Sequence, residues 1–429
     1  MLDSATEAQV DRSTPRPAAR SLGKMVVGSI LTTAATRFPD REAFLCAGTR
    51  RRFTFRQTNE RCNRLAHALM GLGLRKPDVV AFLCSNRAEV PETYFALAKS
   101  GLVGIPLNYR LAVPEIVTLM QAMGAKALLF ETRFAAAAAQ VRQALPQVGH
   151  FVAVGDGAPD WARGYEAVLA AASTAQPEVE VEEDDPFYFN LTSGTTGLPK
   201  SYVINHYNSS TGGPWLEAHD VSGRDVIMTV FPTFGRVGYG WLAAGTTYGA
   251  RNVLVDFNPA EALRLIEAEC VTTVNLVPTM AAMMLAEPTL KQRDLSSLRA
   301  VTFAGAMLPA CLLERVAAEL CPGVYEYYGM QETGTLTVST PEDRLRRAES
   351  VGLPIPVDDR DGDAADEQQP VQNDRVPAEG SQRQLVRDLP GHEQHEGMEE
   401  VIPHRRSPVA ALPVRRACSF TAGSSVHPV

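Results

Sequence analysis

The sequence predicts an α/β protein built from two doubly wound units, each a mostly parallel sheet with helices on both faces. Three observations lead there. Short runs of strand length alternate with stretches of helical periodicity. Those runs are apolar throughout rather than every second residue, which suits strands covered on both sides. The alternation breaks once, at the charged, loop-like segment Glu178–Pro186, and then resumes.

In the first unit, Thr54-x-x-Gln57 has the spacing at which two side chains satisfy the free amides of a helix start. Behind it, Cys62, Leu65, Ala66 and Leu69 fall on one helical face, and Gly71 or Gly73 can supply the left-handed residue that ends the helix. Strands are predicted at Val79–Leu83, Leu102–Ile105, Ala127–Phe130 and Phe151–Val154. In the second unit they are predicted at Asp225–Val230, Asn252–Val255, Thr272–Leu276, Ala300–Phe303 and Val324–Tyr327. Helices Pro259–Glu269, Thr279–Leu285 and Pro309–Leu320 each open near a proline or threonine, as helix starts often do.

The 429 residues carry a formal net charge of -8, which argues against nucleic acid or an anionic membrane as partner. Nowhere do roughly 18 apolar residues run together, the length a membrane span needs. The 7 cysteines are scattered without C-x-x-C pairing, which suggests reduced thiols and a cytoplasmic home. Residues 1–25 lack the apolar core of a secretory signal and read as a flexible leader. Residues 26–356 form the structured part. After Pro356 the periodicity disappears, so 357–429 read as a disordered tail too poor in apolar surface to offset its chain entropy. His392 and His395 have no third ligand at a supporting spacing and do not read as a metal site.

The most informative stretch is Leu191-Thr-Ser-Gly-Thr-Thr-Gly-Leu-Pro-Lys200. Small, hydroxylated and glycine residues let a backbone turn tightly and aim several amides at one place, and a lysine closes the group. That is the chemistry a polyphosphate needs, and equally the composition of a plain turn between strands. Pro199 stands where a Walker loop requires glycine before its lysine, so the segment is not one.

The run resembles the phosphate-loop signature of the adenylate-forming, AMP-binding superfamily of acyl-CoA synthetases, luciferases and peptide-synthetase adenylation domains. Further blocks follow in that family's order. Phe231-Pro-Thr-Phe-Gly-Arg-Val-Gly238 resembles its acyl-pocket segment. Phe303-Ala-Gly-Ala-Met-Leu308 resembles the segment lining adenine, and Tyr327-Tyr-Gly-Met-Gln-Glu-Thr-Gly334 its aromatic–glycine–acid motif. Upstream, Pro106-Leu-Asn-Tyr-Arg-Leu111 also looks like a family landmark.

The resemblance implies two flavodoxin-like subdomains of an adenylate-forming N-terminal domain. It implies an acyl-CoA synthetase that joins a small carboxylic acid to ATP with Mg2+ and passes the acyl group to CoA as co-substrate. Thr192, Ser193, Gly194, Thr195, Thr196, Gly197 and Lys200 would then hold phosphates, with Thr192 and Glu332 in the catalytic group and Glu332 the metal ligand. Tyr328 would stack on adenine against Gly305 and Ala306, with Gly329 and Gln331 beside them. Phe234, Gly235, Tyr239, Trp241, Met280 and Met307 would contribute to the acyl pocket. Two departures stand out: Gly235 occupies a position where many relatives carry histidine, and Gln331 one where threonine is usual.

Downstream, Ser350-Val-Gly-Leu-Pro-Ile-Pro356 looks like the start of the family's β-rich subdomain, after which the motifs stop. The last lysine is Lys291, so the family's C-terminal catalytic lysine has no counterpart here. The β-barrel subdomain is therefore expected to be incomplete and the small C-terminal domain absent, through truncation or a shifted reading frame, with adenylation impaired. A nucleotide- or acyl-adenylate-binding pseudoenzyme, or an adenylating enzyme for another thiol acceptor, is the alternative.

Overall fold

The structure is a computed structural model that describes residues 24–191, 201–210, 218–347 and 349–355. The leader up to residue 23, the phosphate-loop segment 192–200 and everything from residue 356 lie outside it.

Along the chain, α1 (Val27–Arg37) leads into β1 (Glu42–Cys46), β2 (Arg51–Thr54), α2 (Phe55–Gly71), β3 (Val79–Leu83), α3 (Glu89–Ser100) and β4 (Val103–Pro106). Then come α4 (Val113–Ala122), β5 (Ala125–Glu131), α5 (Ala135–Ala144), β6 (His150–Val154), β7 (Arg163–Gly164) and α6 (Tyr165–Ala170). The second half holds β8 (Pro186–Leu191), β9 (Ser201–Asn205), α7 (His206–Ser210), β10 (Val226–Thr229), α8 (Arg236–Tyr248) and β11 (Arg251–Leu254). It continues with α9 (Pro259–Glu269), β12 (Thr273–Leu276), α10 (Pro278–Leu285), β13 (Ala300–Phe303) and α11 (Ala310–Glu319). It closes with β14 (Val324–Met330), β15 (Gly334–Ser339), α12 (Pro341–Arg346) and β16 (Leu353–Pro354).

The strands form two sheets, ordered β7-β6-β5-β3-β4-β8-β9 and β16-β15-β14-β13-β12-β10-β11-β1-β2. All the pairings from β6 through β5, β3 and β4 to β8 are parallel, as are those from β14 through β13, β12 and β10 to β11. In each sheet the chain reverses its winding direction, between β3 and β4 and between β10 and β11. Such switch points are where open α/β sheets bind ligands.

The expected helix start is present: Thr54 Oγ1 accepts the Gln57 amide at 3.2 Å, and Gln57 Oε1 accepts the Thr54 amide at 2.9 Å. Cys62, Leu65, Ala66 and Leu69 are all buried, and Gly73 is the left-handed residue beyond the helix, with φ +96°. The two units are not simply in series, however. β1 pairs in parallel with β11, so a hairpin from the start of the chain completes the sheet of the second half. β8 and β9, which flank residues 192–200 and are not among the predicted strands, pair antiparallel on the edge of the other sheet.

Helices α3 and α8 meet between the sheets. Every residue of α3 is buried, and Tyr94 on it packs against Tyr239 of α8 with ring centroids 4.7 Å apart. Phe187 and Tyr188 of β8 join this aromatic core. A second core, with Leu263, Ile266, Met284 and Val316, lies under α9, α10 and α11 on the other face of the nine-stranded sheet.

His206, also fully buried, accepts the Val27 amide at Nδ1, 3.3 Å away, while its Nε2 has no partner among the described residues. Burial lowers its pKa to about 4, with Asp185 opposing and Lys76 reinforcing the shift. The ordinary value is near 6.5, so the unfolded chain binds a proton that the native fold refuses between those pH values. Stability is therefore fully present above pH 6.5 and falls as the pH drops toward 4, by about 2–3 kcal/mol. Denaturant unfolding at pH 7 and pH 4.5 should show this loss, and His206→Gln should flatten it. An equal slope in the variant would refute the assignment.

Candidate active site

The site begins where β13 and β14 lie side by side, with Phe303 opposite Glu326. Beyond Phe303 the chain turns through Gly305, whose φ of +80° is the left-handed region that favours glycine. Glu326 fastens this turn: Oε1 accepts the Leu308 amide at 2.9 Å, and Oε2 lies 2.5 Å from Arg344 Nη1, a charge contact without aligned hydrogen-bond geometry. Burial raises the Glu326 pKa, against the Leu308 amide and the Arg344 charge.

Strand alternation then decides the next two residues. Tyr327 turns inward, where its hydroxyl accepts the Trp241 indole N–H at 3.1 Å and reaches Asn275 Oδ1 at 3.4 Å. Asn275 in turn donates to Thr302 Oγ1 at 2.9 Å. Tyr328, on the opposite side of the strand, is 49% exposed, and Gly305 and Ala306 on the neighbouring turn are exposed too. A flat ligand could stack on that ring.

The β14–β15 hairpin crosses itself closely at Gly329, where any Cβ would lie 2.0 Å from the Gly334 carbonyl oxygen. Only glycine fits there. At the tip, Gln331, Glu332 and Thr333 are exposed, and no cation pairs with Glu332 among the described residues. The decisive contact is made by Gln331, whose Oε1 accepts a hydrogen bond from Asn190 Nδ2 at 3.0 Å. Asn190 is buried near the end of β8 and also bonds the Tyr202 hydroxyl on β9. Register pairs Leu191 with Ser201, so both feet of the 192–200 segment stand together beside the Glu332 hairpin. Thr192, Ser193, Gly194, Thr195, Thr196, Gly197 and Lys200 themselves lie outside the described residues.

The residues expected to line an acyl pocket separate. Phe234 meets Tyr109 edge to face at 5.4 Å, and Tyr109 stacks on Phe134 at 5.8 Å. Gly235 caps the start of α8, and a Cβ there would touch only the Pro232 carbonyl oxygen, at an ordinary 3.5 Å. Nothing in the backbone therefore demands glycine. Tyr239 and Trp241 belong instead to the core, because α8 is covered by a sheet on each side. Met280 is partly buried against the second core, and Met307 is 70% exposed. Sequence reasoning passed over Asn190, Tyr202, Tyr109 and Arg236; a polar Asn at the edge of a buried strand was the available signal for the first.

A family model described as AMP-binding enzyme matches residues 31–374. The chain belongs to the AMP-binding enzyme family. Its similarity to a fatty acid–[acyl-carrier-protein] ligase, ScoC of Streptomyces coeruleorubidus, is 33% identity over 71% of this chain and 58% of the relative. It is also 33% identical to an indoleacetate–CoA ligase of Aromatoleum aromaticum, over 75% of this chain and 62% of that one. The fold is similar to the inhibitor-bound N-terminal domain of FACL13 from Mycobacterium tuberculosis, with a TM-score of 0.73 and 28% identity over 78% of this chain and 83% of that domain. This AMP-binding chain thus spans about three fifths of the length of the curated relatives it matches. Its family match runs beyond Pro356, where the legible motifs end.

Proposed function

We propose that this chain is the adenylate-forming part of a carboxylic acid–CoA ligase, which joins a carboxylate to the α-phosphate of ATP and releases pyrophosphate. The observation that supports it most is the Asn190–Gln331 bond, because it draws the feet of the Ser-Thr-Gly segment and the Glu332 carboxylate to one cleft. Both reactants are anions, so the demands are positioning and charge neutralisation. Thr192 to Lys200 would cradle the β- and γ-phosphates, and Tyr328 with Gly305 and Ala306 would hold adenine.

An exposed carboxylate without a cation fits a Mg2+ ligand, since that ion characteristically takes one or two carboxylates and completes its shell with phosphate oxygens and water. Bound there with nucleotide, it would offset phosphate charge. The aromatic contact of Phe234 with Tyr109 favours an apolar acid, in keeping with relatives named for fatty acids, indoleacetate and ferulate. CoA is the expected acceptor; the carrier-protein ligase among the relatives favours a carrier thiol as second reading. Described cysteines are free thiols and no described helix is long and apolar enough to cross a membrane, which fits a cytoplasmic setting.

Residues 292–429 contain no lysine, so these 429 residues by themselves are expected to adenylate slowly. Pyrophosphate exchange with fatty, aryl and indolyl acids tests the reading. Exchange above background supports it. ATP binding without exchange supports a nucleotide-binding pseudoenzyme, and neither result would leave the ligase proposal without support.

A further inference from the structure

Arg236 is the first residue of α8, one position after Gly235. Its guanidinium reaches across to the β14–β15 hairpin. A Cβ built on Gly334 would lie 3.2 Å from Nη2 and 3.5 Å from Nε. Gly334 is two residues from Glu332. On its other side the guanidinium lies near Tyr188 and Tyr202, at the feet of the 192–200 segment, and its charge opposes the burial that raises both phenols. Glu332 also acts on Tyr202, raising its pKa. The guanidinium thus belongs to the small space shared by both hairpins.

Arg236 is partly buried, yet no carboxylate lies within 4.0 Å of it among the described residues. The buried Tyr188 hydroxyl lies within reach of this guanidinium, which lowers the phenol's pKa by a hydrogen bond as well as by its charge, and has no other partner among those residues. The buried Arg87 and Arg344 and the partly buried Arg61 each hold a glutamate, and the partly buried Arg64 is satisfied by the carbonyls of Leu169 and Ala172. A guanidinium held partly out of water with no carboxylate beside it is available to an anion that arrives with a ligand. Its planar fork suits the two oxygens of a carboxylate or phosphate.

We infer that Arg236 binds the reacting oxyanion of this enzyme, the substrate carboxylate or the α-phosphate it attacks, from the large domain itself. This deepens the ligase reading and rests on it. The role is one that this chain assigns by its own sequence, through an arginine following Gly235.

The two sources of the oxyanion separate in one set of measurements on the full chain. Calorimetry with AMP and with adenosine isolates the α-phosphate contribution, and the acid dependence of pyrophosphate exchange isolates the carboxylate. In Arg236→Ala, either the affinity advantage of AMP over adenosine should shrink roughly 10- to 100-fold, or KM for the acid should rise by a similar factor. Arg236→Lys should recover part of the loss in the same arm. Adenosine binding should be unchanged, which a merely structural role would not allow. If both arms match wild type in Arg236→Ala, or if adenosine weakens equally, the assignment is overturned while the ligase reading stands. If the wild-type chain binds neither AMP nor adenosine and shows no exchange, the ligase reading falls and takes this assignment with it.

Discussion

Replacing Glu332 by glutamine is expected to lower pyrophosphate exchange roughly 100- to 1,000-fold, the cost typical of removing one charge-stabilising group from a preorganised site. The change keeps size and hydrogen-bonding capacity and deletes only the charge. Glu332 stands exposed at a hairpin tip, and no described cation leans on it, so its loss should leave the fold intact. Any deficit then belongs to the ligand. A second readout makes the test specific: ATP affinity measured by calorimetry should rise with Mg2+ in the parent chain and lose most of that dependence in Glu332→Gln. A variant whose ATP binding responds to Mg2+ as the parent does would remove Glu332 from the metal site. A variant with altered melting would instead reveal a structural role that the exposed position does not suggest.

Much of the site was legible because its informative residues are local in sequence. Tyr327 and Tyr328 differ in burial through strand alternation alone, and Gly305 and Gly329 occupy places where backbone geometry or close approach calls for glycine. The Thr54–Gln57 cap is likewise a short-range device. What could not be read is settled by partners far along the chain. β1 is a five-residue run whose place in a sheet depends on β11, some two hundred residues on. Tyr239 and Trp241 follow directly on the block that resembles an acyl-pocket segment, yet they lie on faces of α8 packed into two separate cores, one toward each sheet. Asn190 is an ordinary polar residue until Gln331 is placed opposite it. Arg236 stands inside the recognised block, but its significance comes from Gly334, at the far side of the cleft.

The same dependence on distant partners gives the second large effect, at Arg344. Its side chain and that of Glu326 are 2% and 5% exposed, and they face each other at 2.5 Å. Arg344→Ala strands a carboxylate in the interior beside the turn that carries Gly305 and Ala306. Breaking a buried pair from one side costs about 3–5 kcal/mol, because the remaining charge loses its partner without regaining water. That is a large share of the margin by which an ordinary domain is stable. Part of the loss is expected to return in Arg344→Ala combined with Glu326→Gln, which removes the orphaned charge and keeps an acceptor for the Leu308 amide. Arg344 Nη2 also donates to the Leu308 carbonyl at 3.4 Å, so the turn loses a tie in either variant. Nucleotide affinity should therefore stay reduced in the double variant even as its unfolding midpoint recovers. Denaturant unfolding followed by tryptophan fluorescence, with ATP titration on the same samples, separates the two effects. A single variant as stable as wild type would mean that solvent reaches Glu326, and that the Leu308 contacts, rather than the ion pair, hold the Gly305 turn in place.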